Sequence, residues 1–274
     1  MAISVLTNVT SMLAQSNLGR ASGDLSDSMA RLSSGLRVRS AADDAAGLAI
    51  SEDFKAKTRG LNQARRNAND GVSLAQTADG SLKEIGGMLN RMRELAVQSA
   101  TGTINSSQRG YLNDEFTQLR SEINRIADTT EFNGVNLLDG TSAGGIDFQV
   151  GAGNTANDRL TLSLATATSA ALSVSTNTIS TASKALSTIS MLDDAITAVS
   201  SRRGTIGAMQ NRLSVTMSNL DTYSTNLEAA NSRIVDVDVA SETARLTKQQ
   251  ILVQAGASML AQANQGPQIA LSLI

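Results

Sequence analysis

The side chains that could do chemistry in this sequence are few and come in short charged pairs. The Asp43-Asp44 pair offers carboxylates, which bind cations or transfer protons, and the Arg65-Arg66 and Arg202-Arg203 pairs are of the type that binds phosphate. Alanines flank the acidic pair and no other ligand-type residue lies nearby, so a charge placed at a helix N-terminus explains it better. Isolated arginine pairs are typical of solvated or ion-paired positions on helices. We therefore predict no catalytic centre and no metal site.

The composition also argues against an enzyme. The 274 residues include no His and no Cys, and only 2% are aromatic. These absences remove the commonest general base, the commonest transition-metal ligand and the thiolate nucleophile. A net charge of -2 disfavours nucleic-acid binding, which needs a basic surplus. We expect no cofactor, no nucleic-acid partner and no membrane span, since no stretch approaches the roughly 20 apolar residues that a spanning helix needs.

The elements that position these residues are predicted to be long helices, because apolar residues recur every seven positions. One row runs from residue 54 to 96 and another from 192 to 234, with a shorter helix over 112–126 that folds back antiparallel on the first. Ser40 and Asp43 fit a capping-box start for the first long helix. The predicted core of the bundle consists of Phe54, Leu61, Leu82, Leu89, Leu192, Val199, Ile206, Leu213, Leu220 and Leu227.

Between the helical patterns the apolar period changes to two. Residues 146–150 and 160–164 alternate apolar and polar side chains around a glycine-containing loop, which predicts a β-hairpin within a β region at about 133–175. Asn133-Gly134 predicts a tight turn just before it. The Ala-, Ser- and Thr-rich stretch 165–183 is predicted to be a surface loop or linker, with some β character at 172–174.

The two ends of the chain contain no charged side chains, from Met1 to Gly19 and from Gln249 to Ile274. Each carries a thin helical stripe that is too weakly apolar to be stable alone. Gly19, Gly23 and Gly35 weaken the first stripe further. We predict that the ends pair with each other and with neighbouring copies, through Leu18, Leu25, Leu32, Ile251, Leu252, Ala255 and Met259. The predicted fold is mainly α: a long antiparallel helical bundle or coiled coil with paired terminal helices and a small β-hairpin region.

Several ordered motifs carry a resemblance to a known family. They are Arg31-Leu-Ser-Ser-Gly-Leu36, residues 41–50 and 89–99, Phe132-Asn-Gly134, Gln210-Asn-Arg-Leu213, Asn231-Ser-Arg-Ile234 and Ala261-Gln-Ala-Asn-Gln265. In these stretches the chain resembles bacterial flagellins, the subunits of the flagellar filament. The resemblance covers nearly the whole chain except about 140–185, a region too short for the extra outer domains that many flagellins insert there.

The resemblance implies an extracellular filament subunit that polymerises with itself and with any paralogous flagellins. Residues 1–42 and 235–274 would form an inner-tube helix pair, and residues 43–234 an outer helical domain. The family's partners would be the flagellar cap and hook-junction proteins, an export chaperone at the C-terminal helix, and the flagellar type III export apparatus. The N-terminus lacks the pattern of a cleavable secretory signal, which agrees with export by that apparatus.

The resemblance also implies a candidate face for an immune receptor. Arg91, Leu95 and Glu115 match positions that family members present to Toll-like receptor 5. The alternative is that this face contacts the next subunit along a protofilament. For the whole chain, the nearest alternative is a hook–filament junction protein, which has similar terminal helices. A membrane-active or adhesive helical protein is disfavoured, because the polar face of such a protein should be rich in Lys and Arg, whereas the ends of this chain carry no charge.

Overall fold

The computed structural model describes the backbone of residues 7–271 and the side chains of residues 7–265. Its helices are α1 (Val9–Ser34), α2 (Ala45–Ala100), α3 (Ser106–Thr129), α4 (Ala182–Val235) and α5 (Val239–Leu271). Four short strands lie between α3 and α4: β1 (Glu131–Phe132), β2 (Val135–Asn136), β3 (Ile146–Gln149) and β4 (Arg159–Leu162). The predicted mainly α fold with a small β region is confirmed.

The chain divides into two compact units. One contains the described residues up to Ala56 and from Asn226 onward, and the other contains Lys57–Thr225. The long helices α2 and α4 each contribute to both units. The first unit holds the two ends of the chain, and the second holds the bundle core and both hairpins.

In the second unit, α3 runs antiparallel to α2, as predicted. Arg109 Nε donates to the Ser99 carbonyl at one end, and Thr130 Oγ1 donates to Ser81 Oγ at the other. Three ion pairs place α4 antiparallel to α2, and their N–O distances are 3.4 Å for Arg65–Asp221, 2.8 Å for Arg203–Asp79 and 2.6 Å for Arg93–Asp193. Residues of increasing number along α2 therefore pair with residues of decreasing number along α4.

The heptad rows form the buried core. Nine of the ten predicted core residues are buried, including Leu82, Leu89, Leu192 and Leu213, while Phe54 is half-buried. The companion row of α2, with Ala78, Ile85 and Met92, is also fully buried. The wide apolar face of α2 thus packs through Leu, Ile and Ala, with few aromatic residues. The seven-residue period of the sequence places these residues on one side of the helix.

The start of α2 differs from the expected capping box. Asp44 caps the helix, because its Oδ1 accepts from the Gly47 backbone N–H at 2.9 Å. Asp43 instead accepts from the backbone N–H groups of Arg39 and Ser40, each at 3.1 Å. These backbone donors hold the pKa of the Asp43 carboxyl below its ordinary value. Both acidic side chains therefore order the segment before α2, which agrees with a structural role for the pair.

Both β regions are antiparallel hairpins. β1 pairs with β2 across Asn133-Gly134, where both residues have positive φ, as a type I′ turn requires. β3 pairs with β4 in the register Ile146↔Leu162 and Phe148↔Leu160, which confirms the predicted hairpin. In its loop, Asp158 accepts from the backbone N–H and hydroxyl of Thr155.

The segment 165–181 is not the surface linker that was predicted. Ala167, Ser169, Leu172, Val174 and Ile179 are buried, and residues 172–174 form no strand, since residues 171–173 form a turn. Side chains of the helices form hydrogen bonds with its backbone. Asn124 accepts from the Ser169 N–H and Asn113 accepts from the Ile179 N–H. Arg120 donates to the Ser175 carbonyl, and Arg202 donates to the Thr166 carbonyl. The small residues of this segment gave no sign of its burial, because that burial depends on partners on α3 and α4.

Candidate assembly surface

The first unit pairs the two ends of the chain as antiparallel helices, as predicted. Asn8 Nδ2 donates to the Ala263 carbonyl at 2.9 Å, and Ser11 Oγ donates to Asn264 Oδ1 at 2.8 Å. Further along, Leu18 lies against Gly256. The same register continues to Leu36, which bridges to Asp236 just before α5.

The contact between α1 and α5 is one narrow stripe on each helix. Its half-buried residues alternate spacings of three and four, as in a coiled-coil seam. On α1 they are Ser11, Ala14, Leu18, Ala21 and Leu25, after the half-buried N-cap Asn8, and on α5 they are Leu246, Gln249, Val253, Gly256, Leu260 and Ala263. Many of these side chains are small or polar, so the seam buries little apolar surface.

The paired ends have no interior of their own. None of the described side chains of 7–27 or 243–265 is buried. The buried residues of this unit come instead from the end of α1 and the segment after it, the start of α2, the end of α4 and the start of α5, and they include Ser28, Val38, Ser51, Val235 and Glu242. In the single chain, every described side chain of these two segments therefore stays at least partly accessible to solvent.

The structure separates the predicted packing residues into two groups. Leu18, Leu25 and Leu32 are half-buried on the inner side of α1. The four α5 residues Ile251, Leu252, Ala255 and Met259 are exposed and lie outside the α1 seam, which uses Val253, Gly256 and Leu260. Their predicted role in inner-tube packing therefore stays a prediction, and in the single chain these four lie beside the seam and not in it. The sequence shows two neighbouring apolar stripes on α5, and heptad spacing alone does not tell which one faces the partner helix.

The exposed stripes border an apolar groove between the two helices. It has a volume of about 520 Å³, and its walls include Leu13, Ala14 and Leu18 of α1 and Leu252 and Met259 of α5. Ile251 next to it is 61% exposed. Because no charged residue lies in either end of the chain, an apolar surface approaching this groove would meet no charge that must be desolvated.

Gly35 ends α1 and does not weaken its interior, contrary to the sequence-based expectation. Its φ of 72° is left-handed, and its N–H donates to the Arg31 carbonyl at 2.9 Å. This is an ordinary C-terminal cap that glycine adopts without strain. The Gly35 carbonyl then accepts from Val237 N–H at 3.0 Å, which joins the end of α1 to the start of α5.

The candidate receptor face is only partly as expected. Arg91 donates to Glu115 on α3 and to Glu94 on its own helix, each at 2.9 Å. The Glu94 and Glu115 carboxylates raise the pKa of the Arg91 guanidinium. Leu95, however, is 1% exposed and belongs to the core. It faces inward because it lies beside Ala96 and Met92 on the seam side of α2, so it presents no side chain to a partner.

The arginine pairs have structural partners. Arg66 donates to Gln63, and Arg65 and Arg203 make the ion pairs to α4 and α2 described above. Arg202 donates to the Thr166 carbonyl, and burial lowers the pKa of its guanidinium. Among the described residues, no cluster of acidic, His or Cys side chains could hold a metal ion. Within the same part of the chain, no helix is long and apolar enough to cross a membrane.

Comparison with known proteins agrees with this geometry. Residues 5–143 match the bacterial flagellin N-terminal helical region, and residues 189–274 match the bacterial flagellin C-terminal helical region. Flagellin of Halalkalibacterium halodurans is 48% identical over 97% of this chain and 98% of that protein. The flagellar filament 33 kDa core protein of Treponema phagedenis is 43% identical over 97% and 98% of the two chains. The crystal structure of Bacillus cereus flagellin has a TM-score of 0.51 at 34% identity, covering 61% of this chain and 94% of that chain.

A long helical bundle whose terminal helices keep exposed apolar stripes within the uncharged segments 1–19 and 249–274 is the arrangement of a self-associating structural protein. With the matches over both halves, the chain belongs to the bacterial flagellin family. It is a structural subunit of the extracellular flagellar filament and serves motility. The family membership also favours the filament subunit over the hook–filament junction alternative.

Proposed function

We propose that folding of the terminal helices is coupled to polymerisation. The observation that supports this most directly is that the described ends have no buried side chain, although apolar residues line both faces of the pair. Copies that cover Leu13, Ile251, Leu252 and Met259 supply the burial that one chain lacks. The division into an inner-tube pair of residues 1–42 and 235–274 and an outer domain of residues 43–234 is part of this proposal.

The energetics favour coupling over prior folding. Ordering the backbone costs about 1–2 kcal/mol per residue, and each Leu, Ile or Val that becomes fully buried contributes roughly 1.5–3 kcal/mol. In the free subunit the seam residues are only half-buried and the outer stripes are exposed, so most of that contribution is absent. Lateral and axial contacts between copies add it as each subunit joins the growing tip.

Hydrogen exchange on dilute subunit and on filaments tests the coupling. We expect amides of residues 1–40 and 240–274 to exchange rapidly in the free subunit and slowly in the filament, while α2–α4 amides between residues 61 and 213 stay protected in both. Full protection of the two ends in dilute subunit would contradict the proposal.

A variant pair tests the surface itself. Ile251→Gln on α5 should abolish or strongly slow elongation of filament seeds, because it places an amide in a contact that excludes water. Leu186→Gln, at a residue that is 60% exposed on α4 of the second unit, is the matched control. Both variants should keep the far-ultraviolet circular dichroism of the bundle. Equal elongation by the Ile251 variant and wild type would reject this surface.

We further propose that the exposed α5 stripe binds the export chaperone before secretion. Ile251, Ala255 and Met259 are exposed on successive turns of one helix, the arrangement by which an amphipathic helix occupies an apolar groove. The proposal also includes secretion through the flagellar type III apparatus without cleavage of a signal peptide. The further proposed partners are the cap, the hook-junction proteins and any paralogous flagellins. Calorimetric titration of the subunit with the chaperone of its own flagellar system should show weaker binding for Leu252→Asn.

For the immune receptor, the proposal narrows to Arg91 and Glu115. Their side chains are about half exposed and make one ion-paired patch across α2 and α3, which suits a protein partner. The same patch in a filament would contact the next subunit along a protofilament. Arg91→Ala should lower activation of Toll-like receptor 5 by free subunit, and unchanged potency would leave only the contact between subunits.

A further inference from the structure

Two methionines of the terminal helices are far more exposed than methionine usually is. Met12 on α1 and Met259 on α5 are each 65% exposed, whereas Met92 and Met209 are buried in the bundle core. A thioether gains nothing from contact with water and is oxidised more readily when it is accessible. Among the described residues, the free chain thus exposes the Met12 and Met259 thioethers near its ends and protects others in its core.

Both sulfurs lie in the uncharged segments that form the proposed contact surface. Met259 lines the groove together with Leu13 and Leu252, and Met12 is the neighbour of Leu13 on α1. Met29, also on α1 and 56% exposed, differs because Asp27 and Arg31 flank it in a charged stretch. Met12 and Met259 therefore combine accessibility in the free subunit with a position where a polar atom would disturb apolar packing.

We propose that Met12 and Met259 form an oxidation-sensitive modification site, at which peroxide converts the free subunit into a form that does not polymerise. The consequence for polymerisation rests on the proposed function of the terminal pair. Once a subunit is in the filament, neighbouring copies cover both sulfurs and the modification no longer occurs.

The chemistry is a two-electron oxygen transfer. A sulfur lone pair attacks one oxygen of hydrogen peroxide, the O–O bond breaks, and an S–O bond forms. The second oxygen leaves as water after proton transfer, so the thioether is oxidised to a sulfoxide and the peroxide is reduced. The sulfoxide is polar and chiral, and its oxygen would be buried without a hydrogen-bond donor between apolar stripes. Methionine sulfoxide reductases of the two stereochemical classes would restore the thioether.

Peptide mass mapping tests the site without reference to assembly. After graded hydrogen peroxide treatment of free subunit, sulfoxide should accumulate at Met12 and Met259 well before Met92. In filaments treated in the same way, Met12 and Met259 should oxidise at least about tenfold more slowly, as expected for burial between copies. Equal rates at Met12, Met259 and Met92 in free subunit, or equal rates in subunit and filament, would overturn the inference.

Seeded elongation tests the consequence. Peroxide-treated wild type should elongate seeds at about one tenth of the untreated rate or below it, the loss expected from burying unpaired polar groups. The double variant M12L/M259L should elongate normally and keep doing so after the same treatment, since leucine is not oxidised. The matched control M29L should lose elongation as wild type does. Loss of elongation by the treated double variant, or protection by M29L, would overturn the proposal.

The oxidation site and its effect on polymerisation can be rejected separately. If untreated wild-type subunit does not elongate seeds at all, the proposed function is overturned together with the consequence for assembly. In that event the mapping of the free subunit still decides whether Met12 and Met259 are the preferred sites of oxidation. Recovery of elongation after reduction by both reductases supports sulfoxide as the cause, and no recovery rejects it.

Discussion

The side chain of Leu18 packs directly over Gly256, so that a Cβ atom at position 256 would lie 3.3 Å from Leu18 Cδ1. The lack of a side chain at Gly256 permits this approach of α1 to α5. The neighbouring atom is the end of a flexible, half-buried side chain, which has room to move outward.

Gly256→Ala should therefore stabilise the terminal pair slightly. Replacing a glycine inside a helix gains about 0.5–1 kcal/mol, and Leu18 needs to shift only a few tenths of an ångström. Amides of α5 should exchange more slowly in filaments of the variant than in wild-type filaments, as measured by hydrogen exchange. Gly256→Leu is the contrasting variant, which should separate the helices and speed exchange; slower exchange in it would contradict the packing described.

Gly71 should behave in the opposite way. A Cβ there would meet three atoms of the Phe148 ring at 3.1–3.2 Å, and this buried ring belongs to β3 of the hairpin that rests on α2. Gly71→Ala should destabilise the bundle by about 1–3 kcal/mol, the usual cost of overpacking. Chemical denaturation of the full chain measures it. Gly80→Ala, in the same helix with open space around the position, is the control and should be neutral or stabilising.

Leu95→Ala should lower the stability of the fold and should not change a binding surface. Because Leu95 is buried in the core, its truncation should cost about 2–5 kcal/mol of unfolding free energy. Val97→Ala, two residues away and 49% exposed, should change it by less than about 0.5 kcal/mol. Thermal and denaturant unfolding compare the two. Equal stability of the variants would show that Leu95 is not in the core, and would restore it as a surface residue.

The loop of the second hairpin should respond to acid through Asp158. Hydrogen bonds from Thr155 hold the pKa of the Asp158 carboxyl below its ordinary value. The stabilising contribution is therefore present above the unfolded pKa of about 3.9 and is lost as pH falls through the folded pKa. Carboxyl chemical shifts followed by NMR should titrate Asp158 below an unstructured aspartate. In Asp158→Asn the loop amides should no longer change at acid pH, and an unchanged acid response would point to another group.

Spacing along the chain was enough to predict the bundle. Leu82, Leu89, Leu192 and Leu213 recur in heptads, and a period close to that of the α-helix places them on one side whatever their partners are. The hairpin at 146–162 followed from the strand period of two, and the pairing of the ends followed from two uncharged stripes with no other cover. The helices and the hairpin strands are local features, because periodicity is a property of one segment.

Only the tertiary structure decided which of several possible faces is used. Leu95 and Arg91 are four residues apart on one helix, yet one is in the core and the other on the surface, because the position of α3 and α4 sets the limits of the buried seam. The same holds for α5, where Val253 and not Leu252 meets α1. Residues 165–181 were missed because their burial comes from distant donors and acceptors such as Asn113, Asn124 and Arg202. Sequence thus specified the elements and their apolar stripes, whereas packing between distant segments determined which stripe is covered and which is left for another molecule.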